Sequence, residues 1–321
     1  MLARRALGHT TLTLPQYAFG ASALGTLGLD EAVATVNAAI AAGMDHFDTA
    51  PFYGLGESER RLGAALAQAQ GPFTISTKVG RLIRTGNDGR AQPVFDYSRD
   101  GAARSLEESL TRLGRERVDM AVLHDVSRRF HGERTNAVFD VSLAGAYRTL
   151  DAWRRDGTVK AIGLGVNDCA TCLRALREAD FDFLILAGRL TLLDQEGFAE
   201  VLPEAARRGV GVIAAAPFNS GILATGANAE ATYFYESAPA EILERTRRIE
   251  AVCARHAVPL PAAALQFALR HPAVSCVLAG YRSVDQVQQN LAHAAHSITE
   301  EFWADLSDSK LLSARMALPA V

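Results

Sequence analysis

Val159-Lys-Ala-Ile-Gly-Leu-Gly-Val166, then residues 169–179 with apolar side chains at helical spacing, then Phe183-Leu-Ile-Leu-Ala187, decide the fold. An apolar run of strand length, a helix and a second apolar run make one β-α-β unit. Strands this uniformly apolar are buried on both faces. Working outward, the alternation recurs. Strands are expected at residues 17–19, 44–48, 73–78, 118–124, 159–166, 183–187, 210–215 and 274–278. Helices are expected at 29–42, 58–70, 98–113, 142–156, 169–179, 198–208, 240–257 and 261–270, with Gly43, Gly71, Gly114, Gly157 and Gly209 where helices stop. Eight buried strands, each followed by a helix, predict an α/β fold of the (β/α)8 TIM-barrel type. A doubly wound dinucleotide-binding sheet needs GxGxxG between its first strand and helix; Gly54-Leu-Gly56 and Gly163-Leu-Gly165 lack the third glycine. Residues 11–20 are expected to add an N-terminal β-hairpin that plugs the barrel, and the chain from Val284 onward a C-terminal helical extension.

No Pro/Ser-rich linker divides the 321 residues, so one barrel domain over 1–321 is expected. With 33 basic and 36 acidic residues the formal charge is −3, which gives no electrostatic footprint for nucleic acid. The apolar runs are strand-sized, well short of the ~20 residues of a membrane helix. No apolar signal segment opens the chain, and a cytoplasmic location is expected. Cys169 and Cys172 form a lone CxxC, with Cys253 and Cys276 elsewhere. No second CxxC or His pair completes a metal set, so buried, reduced thiols are expected. Nothing in the sequence sets an oligomeric state.

A barrel of this kind does its chemistry at the C-terminal ends of its strands. Asp48, Lys78 and His124 end three successive apolar runs, and Tyr53 lies five residues past Asp48. A phenol titrates near 10, so proton transfer by Tyr53 at neutral pH calls for a neighbouring cation. Lys78 is placed to supply it and Asp48 to orient the lysine. His124 is placed to donate to a substrate oxygen. Taken singly each residue also has a plain structural role, such as an ion pair, a loop cover or a cap. Their convergence favours chemistry.

Asp48-Thr-Ala-Pro-Phe-Tyr53-Gly-Leu-Gly-Glu-Ser-Glu59, Ile75-Ser-Thr-Lys78 and Asp119-Met-Ala-Val-Leu-His124-Asp125 resemble the aldo-keto reductase superfamily from about Phe19 to Asn290. The resemblance implies Asp48, Tyr53, Lys78 and His124 as the catalytic tetrad, Tyr53 as acid or base, substrate held by Tyr53 and His124, and hydride exchanged with a nicotinamide. Phe95-Asp-Tyr-Ser-Arg-Asp-Gly101, residues 105–114 and Leu186-Ala-Gly-Arg-Leu-Thr-Leu-Leu-Asp-Gln195 are similar to the branch that oxidises aldoses such as L-fucose at C1, which is also similar to pyridoxal and L-galactose dehydrogenases. The family's Gly-Val-Ser-Asn appears as Gly163-Leu-Gly-Val-Asn167, which moves the expected carboxamide contact to Asn167. Its glutamine and its stacking aromatic appear as Ala187 and Ala215, leaving Phe218 to pack the nicotinamide. Gly280, Arg282, Ser283, Gln286 and Asn290 match the element that grips the adenosine half, and Asp48 borders the cofactor. Neutral Gly280 and Gln286, where many NADPH-using relatives carry cations, favour NAD, with NADP left open. Alternatives are pyridoxal oxidation, NADPH-dependent reduction of small aldehydes and, in another class, a nicotinamide-binding regulatory subunit. A metal-dependent hydrolase lacks its ligand cluster.

Overall fold

The computed structural model describes residues 2–313; Met1 and 314–321, which the single-domain expectation included, lie outside the described residues. Eight parallel strands close a barrel: β1 (Tyr17–Gly20), β2 (His46–Asp48), β3 (Thr74–Val79), β4 (Met120–His124), β5 (Ala161–Val166), β6 (Phe183–Ala187), β7 (Gly211–Ala215) and β8 (Val274–Gly280). Each pairs with its sequence neighbours, and β8 returns to β1 through Leu278 opposite Ala18 and Gly280 opposite Gly20. Alternation of side chains splits the core in two. Met120, Val122, Phe183, Ile185, Ile213 and Cys276 fill the barrel interior. A larger layer, including Phe47, Leu62, Leu123, Leu164, Leu184 and Phe267, lies between strands and helices. No described helix is long and apolar enough to cross a membrane.

The expected helices form; Ser98 Oγ accepts from Gly101 N at 3.0 Å and opens Arg99–Leu113. Helix 142–156 is instead two helices, Thr135–Ala144 and Ala146–Asp156. The break falls at Gly145, where a Cβ would stand 2.2 Å from Tyr97 O, a close approach open only to glycine. Helix 198–208 is likewise Glu196–Ala199 followed by Val201–Arg208. The N-terminal hairpin pairs Arg4–Ala6 with Thr13–Pro15, earlier than expected, because residues from Tyr17 are claimed by the barrel. Its buried Leu7 and Leu14 join the interior cluster and close the barrel floor. The C-terminal extension is helical over Val284–Ala295 and Glu300–Asp308, and Trp303 stacks on Phe267 at 6.1 Å. Two connecting segments carry structure of their own. Residues after Lys78 form the hairpin Arg81–Thr85 with Ala91–Phe95, and those after His124 include Arg128–His131.

Candidate active site

Register places the strand-end side chains together. Asp48 lies opposite Ser76, Lys78 opposite Val122 and His124 opposite Gly165. Ser76 and Lys78 are two residues apart and share the inward face of β3. Both serve Asp48: Ser76 Oγ donates to Oδ1 at 2.7 Å and Lys78 Nζ to Oδ2 at 2.5 Å. Lys78 Nζ also donates to Thr49 O at 2.7 Å and lies 4.8 Å from the Tyr53 ring centroid. The Tyr53 and His124 rings meet edge to face at 6.1 Å.

Tyr53 reaches this position through an unusual turn. Gly54 has φ +59° and packs against Gly25, where a Cβ on Gly54 would stand 2.5 Å from Gly25 Cα. Two glycines in contact let the tyrosine loop dock on the segment after β1. Ser58 fastens it, donating to Ala21 O at 2.7 Å. The structure thus brings Asp48, Tyr53, Lys78 and His124 into one wall.

The electrostatics differ from the sequence expectation in one respect. Burial pushes the Tyr53 phenol up to about 12, and Asp48 and Asp125 add to that, against the pull of the Lys78 ammonium. A phenol held low is therefore not what this wall alone provides. Burial also works against the Lys78 charge, but Asp48 and Tyr53 outweigh it and hold the ammonium above its ordinary value.

Burial, with the Lys78 and Arg81 cations adding to it, holds the His124 imidazole well below its ordinary 6.5. The ring is neutral at pH 7, with Nδ1 buried and without a partner among the described residues. An unfolded chain binds that proton near 6.5 and the folded chain does not. This stability is present above the unfolded pKa and is lost as pH falls toward the folded one. Buried His46, also held low by burial, acts in the same sense. The unfolding free energy from urea titrations is expected to drop between about pH 7 and pH 5, by up to ~1.4 kcal/mol per pH unit for each histidine. His124→Gln is expected to make that drop shallower, and an equal slope in both proteins refutes the assignment.

A cavity of about 420 Å³ opens over this wall, at the C-terminal ends of the strands. Asn167, Ala187, Ala215 and Asn219 line it with the tetrad. Phe218 does not: it packs against the outer hydrophobic layer, and its neighbour Asn219, at φ +45°, takes the wall position. The aromatic rings that border the cavity are Phe52, Tyr53, Phe130, Phe234 and Tyr235. Arg81 and Asp125, which sequence reasoning did not single out, form an ion pair in the wall. They open the segments 81–99 and 125–140, the loops after Lys78 and His124 that the sequence marks as candidates for recognising the sugar's other hydroxyls.

Gly280, Arg282, Ser283, Gln286 and Asn290 lie outside the cavity, on the end of β8 and the start of Val284–Ala295. Ser283 Oγ accepts from Gln286 N at 3.2 Å and Gln286 Oε1 from Arg282 N at 2.9 Å. The exposed Arg282 side chain stands at this helix start, where backbone N–H groups favour anions. In the cavity, the Asn167 side chain has no hydrogen bond to another described residue, and Asn219 Oδ1 is buried and unpartnered. Asn219 Nδ2 donates to Gly188 O at 3.2 Å, so the Asn167 amide and Asn219 Oδ1 are what is open to a carboxamide, and with an anion-favouring helix start they fit a nicotinamide dinucleotide. Among the described residues no group of three His, Cys, Asp or Glu is placed to hold a metal ion. The four cysteines are free and buried, and burial pushes each thiol up.

The profile described as Aldo/keto reductase family matches residues 17–310. Pyridoxal 4-dehydrogenase from Microbacterium luteolum is 41% identical, covering 97% of this chain and 98% of that protein. D-threo-aldose 1-dehydrogenase from Pseudomonas sp is 40% identical over 94% of this chain and 95% of its own. The solved holo form of an aldo-keto reductase from Bacillus halodurans superposes with a TM-score of 0.80 over 98% of this chain and 97% of its own. At 22% identity that likeness bears on the fold.

Proposed function

The chain belongs to the aldo/keto reductase family of NAD(P)-dependent oxidoreductases, and on that premise we propose that it oxidises the C1 hydroxyl of a free aldose, such as L-fucose, to the aldonolactone. The reading rests on the convergence of Tyr53, Lys78, Asp48 and His124 on one cavity wall. The 40% identical relative named for D-threo-aldoses supports the substrate class.

Tyr53, as phenolate, accepts the C1 hydroxyl proton; Lys78 stabilises that charge and Asp48 holds Lys78 in place. Neutral His124 donates to the sugar oxygen and fixes it beside Tyr53. Bound nicotinamide supplies the hydride acceptor at C4. Asn167 and Asn219 would hold its carboxamide, and Arg282, Ser283, Gln286 and Asn290 its adenosine half. The absence of a cation at Gly280 and Gln286 favours NAD over NADP. Hydrolysis of the lactone pulls the oxidation forward. We place the enzyme in the cytoplasm, as one barrel domain.

The aromatic rim and the 41% identical relative favour pyridoxal as a second reading. Initial rates with NAD and NADP across L-fucose, D-arabinose, L-galactose, D-glucose and pyridoxal separate the two. NAD-linked turnover of L-fucose and D-arabinose, which share their C2 to C4 configuration, is expected, with D-glucose slower by roughly 100-fold in kcat/KM. Turnover of pyridoxal alone overturns the aldose reading, and tighter binding of NADP than NAD overturns the cofactor preference.

A further inference from the structure

The polar wall between His124 and the mouth of the cavity is built by two residues that the proton transfer does not use. Asp125 follows His124 with φ +59°, in the left-handed region that favours glycine. It is pinned there: its N–H donates to Gly165 O at 2.9 Å, and its carbonyl accepts from Ser127 N at 2.9 Å. A strained residue held by its surroundings at a cavity wall invites a functional explanation. Its Oδ2 accepts from Arg81 and lies 3.4 Å from His124 Nε2. Its Oδ1 has no partner among the described residues, although the residue lines the cavity.

Arg81 is held as firmly and is as incompletely used. Its side chain is 5% exposed. The guanidinium lies 3.3 Å from the Phe52 ring centroid, with Phe130 at 4.7 Å and Phe95 at 5.0 Å. Among the described residues only one of its five N–H donors is engaged, by Asp125, and the buried Nε has no partner. A purely structural buried pair would be expected to satisfy its remaining polar atoms within the protein, since leaving them bare is costly. Here a carboxylate oxygen and a guanidinium with unengaged donors are left side by side on one cavity wall, stiffened by aromatic rings.

Building on the aldose reading, the geometry points to Asp125 and Arg81 as the pair that selects the substrate by its vicinal hydroxyls. A sugar oxygen held by His124 leaves the substituent one carbon away beside the Asp125 carboxylate. A carboxylate needs a donor, so it takes the C2 hydroxyl and not the ring oxygen, which carries no proton. Arg81 donates to the next oxygen along. The pair therefore fixes which way the sugar ring enters, while Phe52 and Phe130 offer apolar faces to its C–H groups.

D-arabinose and 2-deoxy-D-ribose test this, because they differ only in the C2 hydroxyl. With NAD, the parent enzyme is expected to favour D-arabinose by on the order of 100-fold in kcat/KM. Asp125→Asn and Arg81→Lys, each checked for NAD affinity and an intact circular-dichroism spectrum, are expected to shrink that ratio to about tenfold or less, chiefly by slowing D-arabinose. The parent ratio needs no variant to fold. A parent that does not discriminate, or variants that slow both sugars equally and keep the ratio, overturn the assignment of Asp125 and Arg81 while leaving the aldose reading in place. A parent that oxidises neither sugar removes the aldose reading, and this pair's role with it.

Discussion

Tyr53→Phe is expected to lower kcat for aldose oxidation by roughly 10³-fold or more, at the upper part of the range for losing a positioned proton acceptor. The substitution removes one oxygen and keeps the ring. The edge-to-face contact with His124 and the Lys78 ammonium over the ring both survive. NAD affinity, measured by fluorescence titration, is therefore expected to stay within about threefold, since no cofactor contact is assigned to the lost oxygen. The same residue sets the pH dependence. The free-enzyme phenol stands at about 12, above its ordinary 10, so the phenolate fraction grows throughout the neutral and alkaline range. Because kcat/KM reports groups of the free enzyme, it should rise about tenfold per unit between roughly pH 7 and pH 10. His124, neutral throughout that range, adds no slope. A parent profile flat over this interval, or a Tyr53→Phe enzyme with near-parental kcat, removes Tyr53 from the proton-accepting role.

The barrel was legible because its strands are buried on both faces and announce themselves as apolar runs. Strand starts ran long for a physical reason. Val118 and Val159 are apolar and buried, yet they belong to the turns entering β4 and β5; Asp119, between the first turn and β4, spends its carboxylate on Ile75 N at 2.9 Å. Asp48, Lys78 and His124 were legible because a charged or titratable residue closing an apolar strand has a fixed address in a barrel. Residues whose roles depend on loop conformation were not. Phe218 and Asn219 are adjacent, and the positive φ of Ala216, Asn219 and Ser220 decides which of them faces the cavity. No periodicity encodes that choice. Arg81 opens a hairpin strand after β3 and Asp125 follows β4, so their pairing emerges only on closure of the barrel.

Lys78→Met is expected to damage stability and chemistry together, and a second substitution separates the two. Lys78 and Asp48 are 3% and 2% exposed in their side chains and paired at 2.5 Å. Removing the ammonium leaves Asp48 a buried carboxylate with, among the described residues, only the Ser76 hydroxyl donating to it, a loss of about 3–5 kcal/mol by urea denaturation at pH 7. The sign follows from the raised lysine. Its contribution is complete below the unfolded value of 10.5 and is lost as pH climbs through the folded value. The stability difference between parent and variant should therefore close in strong alkali, where the parent lysine gives up its charge. Activity falls for a different reason. The cation that opposes the upward push on Tyr53 is gone, so even less phenolate is available, and kcat should fall by roughly 10²–10⁴-fold. In Lys78→Met/Asp48→Leu no buried charge is left bare, and much of the lost stability should return. Turnover should not return with it, because nothing replaces the ammonium beside the phenol. Recovery of both in the double variant would mean that Lys78 serves only to neutralise Asp48; recovery of stability alone means that the charged pair serves the chemistry beyond its own neutralisation.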